Sequence, residues 1–420
     1  MTSERECFVF VVLPGAAEFV VAGRFRVSTT PDGVPLGEFV YGRSYLSRPD
    51  AVELDPVELR LTERLYQTTR MGGFFGAIRD SMPDYWGRLL IERRFGAARL
   101  EEFDYLLEGP DDRAGALGFA TDLEPPRPRS LFNAVLDLGE LQAAADSVLA
   151  GERGRQLTVA GRARELLLEG TSMGGARPKA VVEDGGALWV AKFGRDEDRW
   201  NDPLVEHAVL QLARQCGLNV ASSRVERIGN RDVLLVRRFD RERLGTGHAR
   251  SRMVSALTLL QADDHVTNRR RWSYLALADE LRRASSKPGE DLRELFARIC
   301  FNAAISNLDD HPRNHAIVAH GRQWRLSPAY DLTPVPAISV TRRDLAMTCG
   351  PAGRWANRAN LLGAAGRFLL GSEEAEAIFD RITATIRSSW LATMRDNGVS
   401  ERDCDVIRHA ILYDGLFYDV

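Results

Sequence analysis

Residues 306–315 read SNLDDHPRNH, which puts two adjacent aspartates, two histidines four apart and two asparagines, Asn307 and Asn314, within ten positions. Three chemistries fit those residue types. As a metal site, His311 and His315 have the i, i+4 spacing that sets two imidazoles on one helix face. Pro312 between them suits only the first turn of a helix, the AIVA after them has strand character, and the glutamate of an HExxH pair is missing. As a phosphotransfer loop, Asp309 and Asn314 have the D-x-x-x-x-N spacing in which the aspartate orients or deprotonates a hydroxyl and the asparagine binds Mg²⁺. The third possibility is a polar turn that closes a hairpin and does nothing more.

The elements around this stretch bear on the choice. HAIVAHGRQWRLS reads as a hairpin, with Asn314 just before its first strand and Asp331 shortly after its second. Antiparallel strands bring such flanking residues to one end of the ladder, where Asn314 and Asp331 could share Mg²⁺ through oxygen ligands. Upstream, TSMGGARPKA offers Gly174, Gly175 and Ala176, small residues that let backbone N–H groups approach phosphates. The strand WVAKF then carries Lys192, and Glu206 falls fourteen residues later in a helical pattern, the order of the kinase Lys–Glu pair. Only three of the 56 basic residues are lysines, and two of them, Lys179 and Lys192, lie in this region. A chain that uses Arg almost everywhere has a chemical reason to keep a compact point charge there. The strand VLLVRRFDR comes next as a hinge, where Arg237 to Phe239 would offer backbone groups to adenine; its apolar half could equally be core.

Composition bounds the rest. With 420 residues, 44 % apolar and 27 % charged, the chain has material for two or three packed domains. A net charge of −3 gives no general attraction to nucleic acid or an anionic membrane, although the run NRRRW (268–272) could form a local basic patch or a solvated helix face. Five scattered cysteines without CxxC spacing argue against a zinc knuckle or disulfide framework and fit a reducing cytoplasm. The acidic, Pro-Gly-interrupted N-terminus is not read as a signal peptide, and no apolar run reaches bilayer length.

The first hundred residues open with strand-like runs (CFVFVV, EFVVAGRFRV, GEFVYG) and continue with helical patterns in DPVELRLTERLYQ and SMPDYWGRLLIERRF, the latter with Ser81 as a plausible N-cap. EPPRPR (124–129) reads as a linker. Residues 131–155 look helical, a hairpin turns at Asp184-Gly185-Gly186, and the helix through NDPLVEHAVLQLARQCGL stops at Gly217. The expected division is an N-terminal α+β subdomain (1–125), a strand-rich nucleotide-binding lobe (126–240) and a helical catalytic lobe (241–420).

These residues resemble the HipA-like serine/threonine kinases, toxins of bacterial toxin–antitoxin pairs. DDRAGALGF, GGARPKA, WVAKF, VEHAVLQLA, VRRFDR, NLDDHPRNHA and LSPAYDLTP occur in that family's order over most of the chain. The resemblance implies an α+β, bilobal, protein-kinase-like fold, with a strand-rich N-lobe, an extra N-terminal subdomain and an all-helical C-lobe. It implies ATP and Mg²⁺ as cofactors, Asp309 as catalytic base, Asn314 and Asp331 as Mg²⁺ ligands, Lys192 on the phosphates under the 174–179 loop, and His311 lining the site. Ser172 matches the family's autophosphorylated serine. Members phosphorylate aminoacyl-tRNA synthetases and are restrained by a helix-turn-helix antitoxin through which they reach operator DNA. HRD and DFG are replaced here by LDD at Asp309 and YDL at Asp331, as the family leads one to expect. A small-molecule kinase of related fold and a co-repressor with little kinase activity remain alternatives, and Asp310 has no assigned role.

Overall fold

The computed structural model describes residues 5–96, 99–126, 132–134, 137–152, 177–264, 266–336 and 339–418. These divide into two compact units. The first comprises Met1–Arg195, Ile228–Val254 and Val318–Gln323; the second comprises Asp196–Arg227, Ser255–Ile317 and Trp324–Val420. Among the described residues no helix is long and apolar enough to cross a membrane.

The first unit begins with the alternating and apolar runs expected as strands: β1 (Arg5–Val12), β2 (Phe19–Thr29) and β3 (Pro35–Tyr41). With β4 (Tyr66–Thr68) and β5 (Leu117–Ala120) they form a sheet in the order β4-β3-β2-β1-β5. Phe25 of β2 is fully buried and stacks on Phe103, with Phe74 and Phe75 at its edges. The helix expected over DPVELRLTERLYQ does not form. Tyr41 takes the Leu54 N–H at 2.9 Å and donates to the Leu59 carbonyl at 2.5 Å, and Asp55 takes the amides of Val57, Glu58 and Leu59. Side chains thus occupy backbone groups that a helix would need for its i→i−4 bonds, and the segment ends in edge strand β4.

Helix α1 (Tyr85–Phe95) is capped by Asp84, whose carboxylate accepts from Gly87 N at 2.8 Å. Ser81 is not its cap. Its hydroxyl donates to Ile78 at the end of the short helix Gly76–Asp80, and Pro83 separates the two turns. Helix α2 (Glu102–Glu108) carries Phe103, and α3 (Leu138–Glu152) supplies Leu138, Leu141, Ala144 and Ala145 to a second core. That core packs Trp86 and Leu90 against β7 (Lys179–Asp184), β8 (Ala187–Phe193) and β10 (Arg231–Arg237). The two-residue strand β6 (Asn133–Ala134) extends this sheet in the order β6-β7-β8-β10, while β9 (Ser223–Ile228) groups with the second unit up to Arg227. Gly185 and Gly186 turn the β7–β8 hairpin with φ of +57° and +75°, the two positive values a type I′ turn requires.

Two sequence stretches interlock in this unit. Arg238 is buried with its Nε 2.9 Å from Asp240 Oδ1 and its guanidinium also on Asp112. Asp240 also accepts from Gly115 N at 2.9 Å and from Arg241 at 2.7 Å, so VRRFDR clamps DDRAGALGF through buried, charge-assisted bonds. Burial by itself raises the Asp240 pKa, but the Arg238 and Arg241 charges outweigh it and hold the carboxylate well below the usual range. Next along the chain come the hairpin of β11 (Arg241–Leu244) and β12 (Gly247–Arg250), then β13 (Met253–Ser255).

The second unit is helix-rich. Its helix α4 (Asp202–Gln215) starts at Asn201, which caps Leu204 N, and stops where Gly217 takes φ +83° and Leu218 N bonds back to Ala213. Helix α5 (Tyr274–Ala284) is capped by Ser273. Helix α6 (Pro288–Ala304) is buried all round from Leu295 to Ala304 and packs against α5 and α7 (Ser372–Asp396). A helix enclosed on every side gives the adjoining chain a fixed reference. The loop 305–315 leaves directly from its C-terminal end and leads into the expected hairpin, β14 (Ala316–His320) and β15 (Gln323–Leu326).

Candidate active site

The loop 305–315 is pinned at both ends. Ser306 adopts φ +53°, with its hydroxyl donating to Ala410 O at 2.6 Å and accepting from Arg343 at 2.6 Å. Asn307 N bonds to Asn302 O at 2.8 Å, and its side chain donates to Asn302 Oδ1. At the far end, Pro312–Asn314 forms one 3₁₀ turn with Pro312 at its start, and no α-helical face presents His311 with His315. Among the described residues no group of three or more His, Cys, Asp or Glu gathers as a metal site.

Within this frame the two aspartates face opposite ways. Asp309 is exposed, and Asp310 is 1 % exposed. One oxygen of Asp310, Oδ2, accepts from Asn302 Nδ2 at 2.7 Å, from the Tyr274 hydroxyl, and bonds to His315 Nε2 at 2.8 Å. His315 is itself buried, edge-on to the Tyr274 ring. Sequence reasoning missed Tyr274 and Asn302. The available signal was the lone polar Asn302 inside the apolar run ICFNAAI, since a polar side chain on a helix buried all round needs a partner.

The Asp309 backbone carbonyl accepts from His311 N at 2.7 Å and from Asn314 Nδ2 at 3.4 Å, so Asn314 lies against the loop that presents Asp309. Partial burial raises the pKa of Asp309. His311 opposes the rise, Asp331 adds to it by like charge, Arg269 opposes it and Asp310 adds again. The Asp331 charge acts on Asp309, and the Tyr330 hydroxyl donates to the Arg313 carbonyl at 2.7 Å, which sets the residues just before Asp331 and Asn314 side by side. The Asp331 backbone sits at φ +58°, a left-handed conformation unusual outside glycine and found at functional sites. The preceding chain is held in place by the mutual backbone bonds of Ala329 with Asn219 and Ala221.

The oxygens of Asn314 and Asp331 are the hard donors Mg²⁺ takes, and the like charge that Asp331 sets against Asp309 is what a dication would relieve. The residues fit that ion. His311 is half-buried beside Asp309, with its ring edge-on to Trp272. Arg269, from the basic run, stacks over Trp272 at 5.3 Å.

The remaining candidates lie on other elements. Lys192 is half-buried on β8, directly opposite Leu234 of β10 and Lys179 of β7. Lys179 is 2 % exposed, and its ammonium lies 2.5 Å from Asp84. Glu206 is buried on α4, in the second unit, whereas Lys192 belongs to the first. Arg237 is exposed at the end of β10, Phe239 is half-buried, and the Arg238 N–H between them donates to Leu188 O at 2.8 Å. Ser172, Gly174, Gly175 and Ala176 lie outside the described residues.

Comparison with known proteins matches the model of the HipA-like C-terminal domain to residues 171–390, just over half of the chain. The chain belongs to the HipA-like family. That span takes in Lys192, Glu206, Asp309, Asn314 and Asp331. A curated relative, "Putative kinase Y4mE" of Sinorhizobium fredii (strain NBRC 101917 / NGR234), is 25 % identical over 336 residues, 74 % of this chain and 75 % of that protein. Among solved structures, the Shewanella oneidensis MR-1 toxin–antitoxin complex of HipA, HipB and operator DNA aligns with a TM-score of 0.66 and 17 % identity, over 96 % of this chain and 94 % of that one. The HipA-like chain thus has the α+β, bilobal, kinase-like fold that the sequence led us to expect.

Proposed function

We propose that this HipA-like chain is an ATP- and Mg²⁺-dependent serine/threonine protein kinase. The observation that carries the proposal is the gathering of Asp309, Asn314 and Asp331 at one end of the β14–β15 hairpin, with Asp309 turned to solvent and within reach of the Asp331 charge. Asp309 aligns the acceptor hydroxyl and takes its proton as the hydroxyl oxygen bonds to the γ-phosphorus of ATP, while the bond from that phosphorus to the β–γ bridging oxygen breaks and ADP leaves with the electron pair. Asn314 and Asp331 hold Mg²⁺, which when bound neutralises phosphate charge. Lys192, half-buried on strand β8, is the residue that would steady the nucleotide phosphates. Catalysis of this kind is mostly positioning and charge stabilisation, and it asks little covalent chemistry of the protein. Lys179 has a different part, because Asp84 already matches its charge. The kinase name of the Sinorhizobium relative supports this assignment.

Autophosphorylation at Ser172, an aminoacyl-tRNA synthetase as target and a cytoplasmic location are carried over from the family. The Shewanella complex contains HipB and operator DNA, which supports a HipB-like antitoxin as partner and contact with operator DNA through it. The test is incubation with γ-labelled ATP and Mg²⁺, alone and with a cell extract. Label on Ser172 and on a discrete extract protein supports the proposal, and no transfer to any protein contradicts it.

A further inference from the structure

The second aspartate of the loop does no chemistry in that mechanism, yet it is the more elaborately held of the two. We infer that Asp310 is the positioning residue of the site: its buried carboxylate fixes the backbone that presents Asp309 and Asn314. The inference rests on the phosphotransfer role proposed for those two residues.

Three observations carry it. The three groups on Asp310 Oδ2 come from three different elements: Tyr274 at the start of α5, Asn302 in the buried stretch of α6, and His315 at the entry to β14. Asp310 thereby joins the loop to both helices and to the hairpin. Neighbouring residues 309 and 310 point to opposite sides, so drawing Asp310 inward turns Asp309 outward to solvent. Finally, the anchored span is short. Asn314 reaches back to the Asp309 carbonyl and His315 to the Asp310 carboxylate, so the base and the amide ligand are braced by one turn. Removing the carboxylate would leave three buried groups, the Tyr274 hydroxyl, the Asn302 amide and His315 Nε2, without their partner at once.

Asp310 Oδ1 has no hydrogen-bond partner among the described residues. An asparagine can therefore keep its oxygen where Oδ2 sits and turn its amide into the place of Oδ1. Asp310→Asn should then be the rescuing substitution, and Asp310→Ala the damaging one. Tyr274→Phe removes one donor while keeping the ring that packs on His315.

The experiment uses the full chain, with initial rates measured against ATP and against Mg²⁺, and with thermal unfolding followed in parallel. A misplaced base predicts that Asp310→Ala loses about 100-fold in kcat with KM for ATP within about 3-fold. Because Asn314 moves too, the Mg²⁺ concentration for half-maximal rate should rise about 5-fold, and calorimetry should show weaker binding of Mg·ADP without turnover. Asp310→Asn should stay within about 5-fold of wild type, and Tyr274→Phe should fall between the two. A merely structural role lowers the melting temperature and leaves the Mg²⁺ midpoint unmoved. A folded Asp310→Ala with wild-type kcat, or with an unmoved Mg²⁺ midpoint, overturns the inference. Should Asp310→Ala fail to fold, Tyr274→Phe decides: an unchanged kcat and Mg²⁺ midpoint overturns it. A wild-type chain that transfers no phosphate sinks the kinase proposal instead, and this inference with it.

Discussion

Lys179 Nζ lies 2.5 Å from Asp84 Oδ2, and both side chains are buried. The same carboxylate caps helix α1 through its other oxygen, and Trp86 donates to the Lys179 carbonyl at 3.1 Å. One of the chain's three lysines is therefore built into the packing of α1 on β7. Lys192, directly across the ladder from Lys179, faces a neighbour whose charge is already matched.

Asp84→Ala should consequently act on stability. Deleting one partner of a buried pair costs about 3–5 kcal/mol, and the lost cap adds about 1 kcal/mol. Denaturant unfolding should show the drop, whereas substituting an exposed pair such as Arg48–Asp50 should leave the midpoint nearly unchanged.

The Arg238 clamp predicts a dependence on acid. Asp240 is held below its ordinary pKa, so its stabilising share is whole above about pH 3.9, the unfolded carboxylate value, and is lost as pH falls toward the depressed folded one. Arg238→Ala leaves two buried carboxylates without their main counter-charge and should cost about 3–5 kcal/mol at neutral pH. Melting temperatures from pH 7 down to pH 3 should show the gap between variant and wild type narrowing. A gap independent of pH would contradict this account.

How much of this was legible in the chain varied with the range of the interaction. The hairpin from 315 to 327 was readable because alternation, a glycine turn and flanking polar residues are all local signals. So was the C-terminal end of α4, where Gly217 acts within one turn. The segment 55–67 was not, because its helical spacing is overridden by Tyr41, a residue more than ten positions away. Ser81 lost the cap of α1 to Asp84 by three positions, a choice that depends on where Pro83 breaks the chain. Asp309, Asn314 and Asp331 could be picked out by motif. Asp310 could not, since its partners Tyr274, Asn302 and His315 are identifiable only once α5, α6 and β14 are assembled. Likewise, the pairing of Lys179 with Asp84, 95 residues away, has no local signal in the chain.

Asp309 predicts the pH profile of phosphate transfer. Partial burial and then the Asp331 charge raise its pKa, so the proton stays on above the usual carboxylate range and activity climbs as pH rises through the raised value. On the proposed reading, Mg²⁺ bound at Asp331 would offset that like charge. Raising Mg²⁺ should therefore move the acid limb of kcat/KM to lower pH, and a limb indifferent to Mg²⁺ would contradict the link between the two aspartates.

The most direct measurement of the central claim compares wild type with Asp309→Ala in γ-labelled ATP and Mg²⁺, after both are shown to melt alike. Loss of a residue that aligns and deprotonates the acceptor should cut phosphate incorporation by at least about 100-fold, while nucleotide binding, which on the proposed reading does not pass through this carboxylate, persists. Incorporation by Asp309→Ala equal to that of wild type would contradict the account.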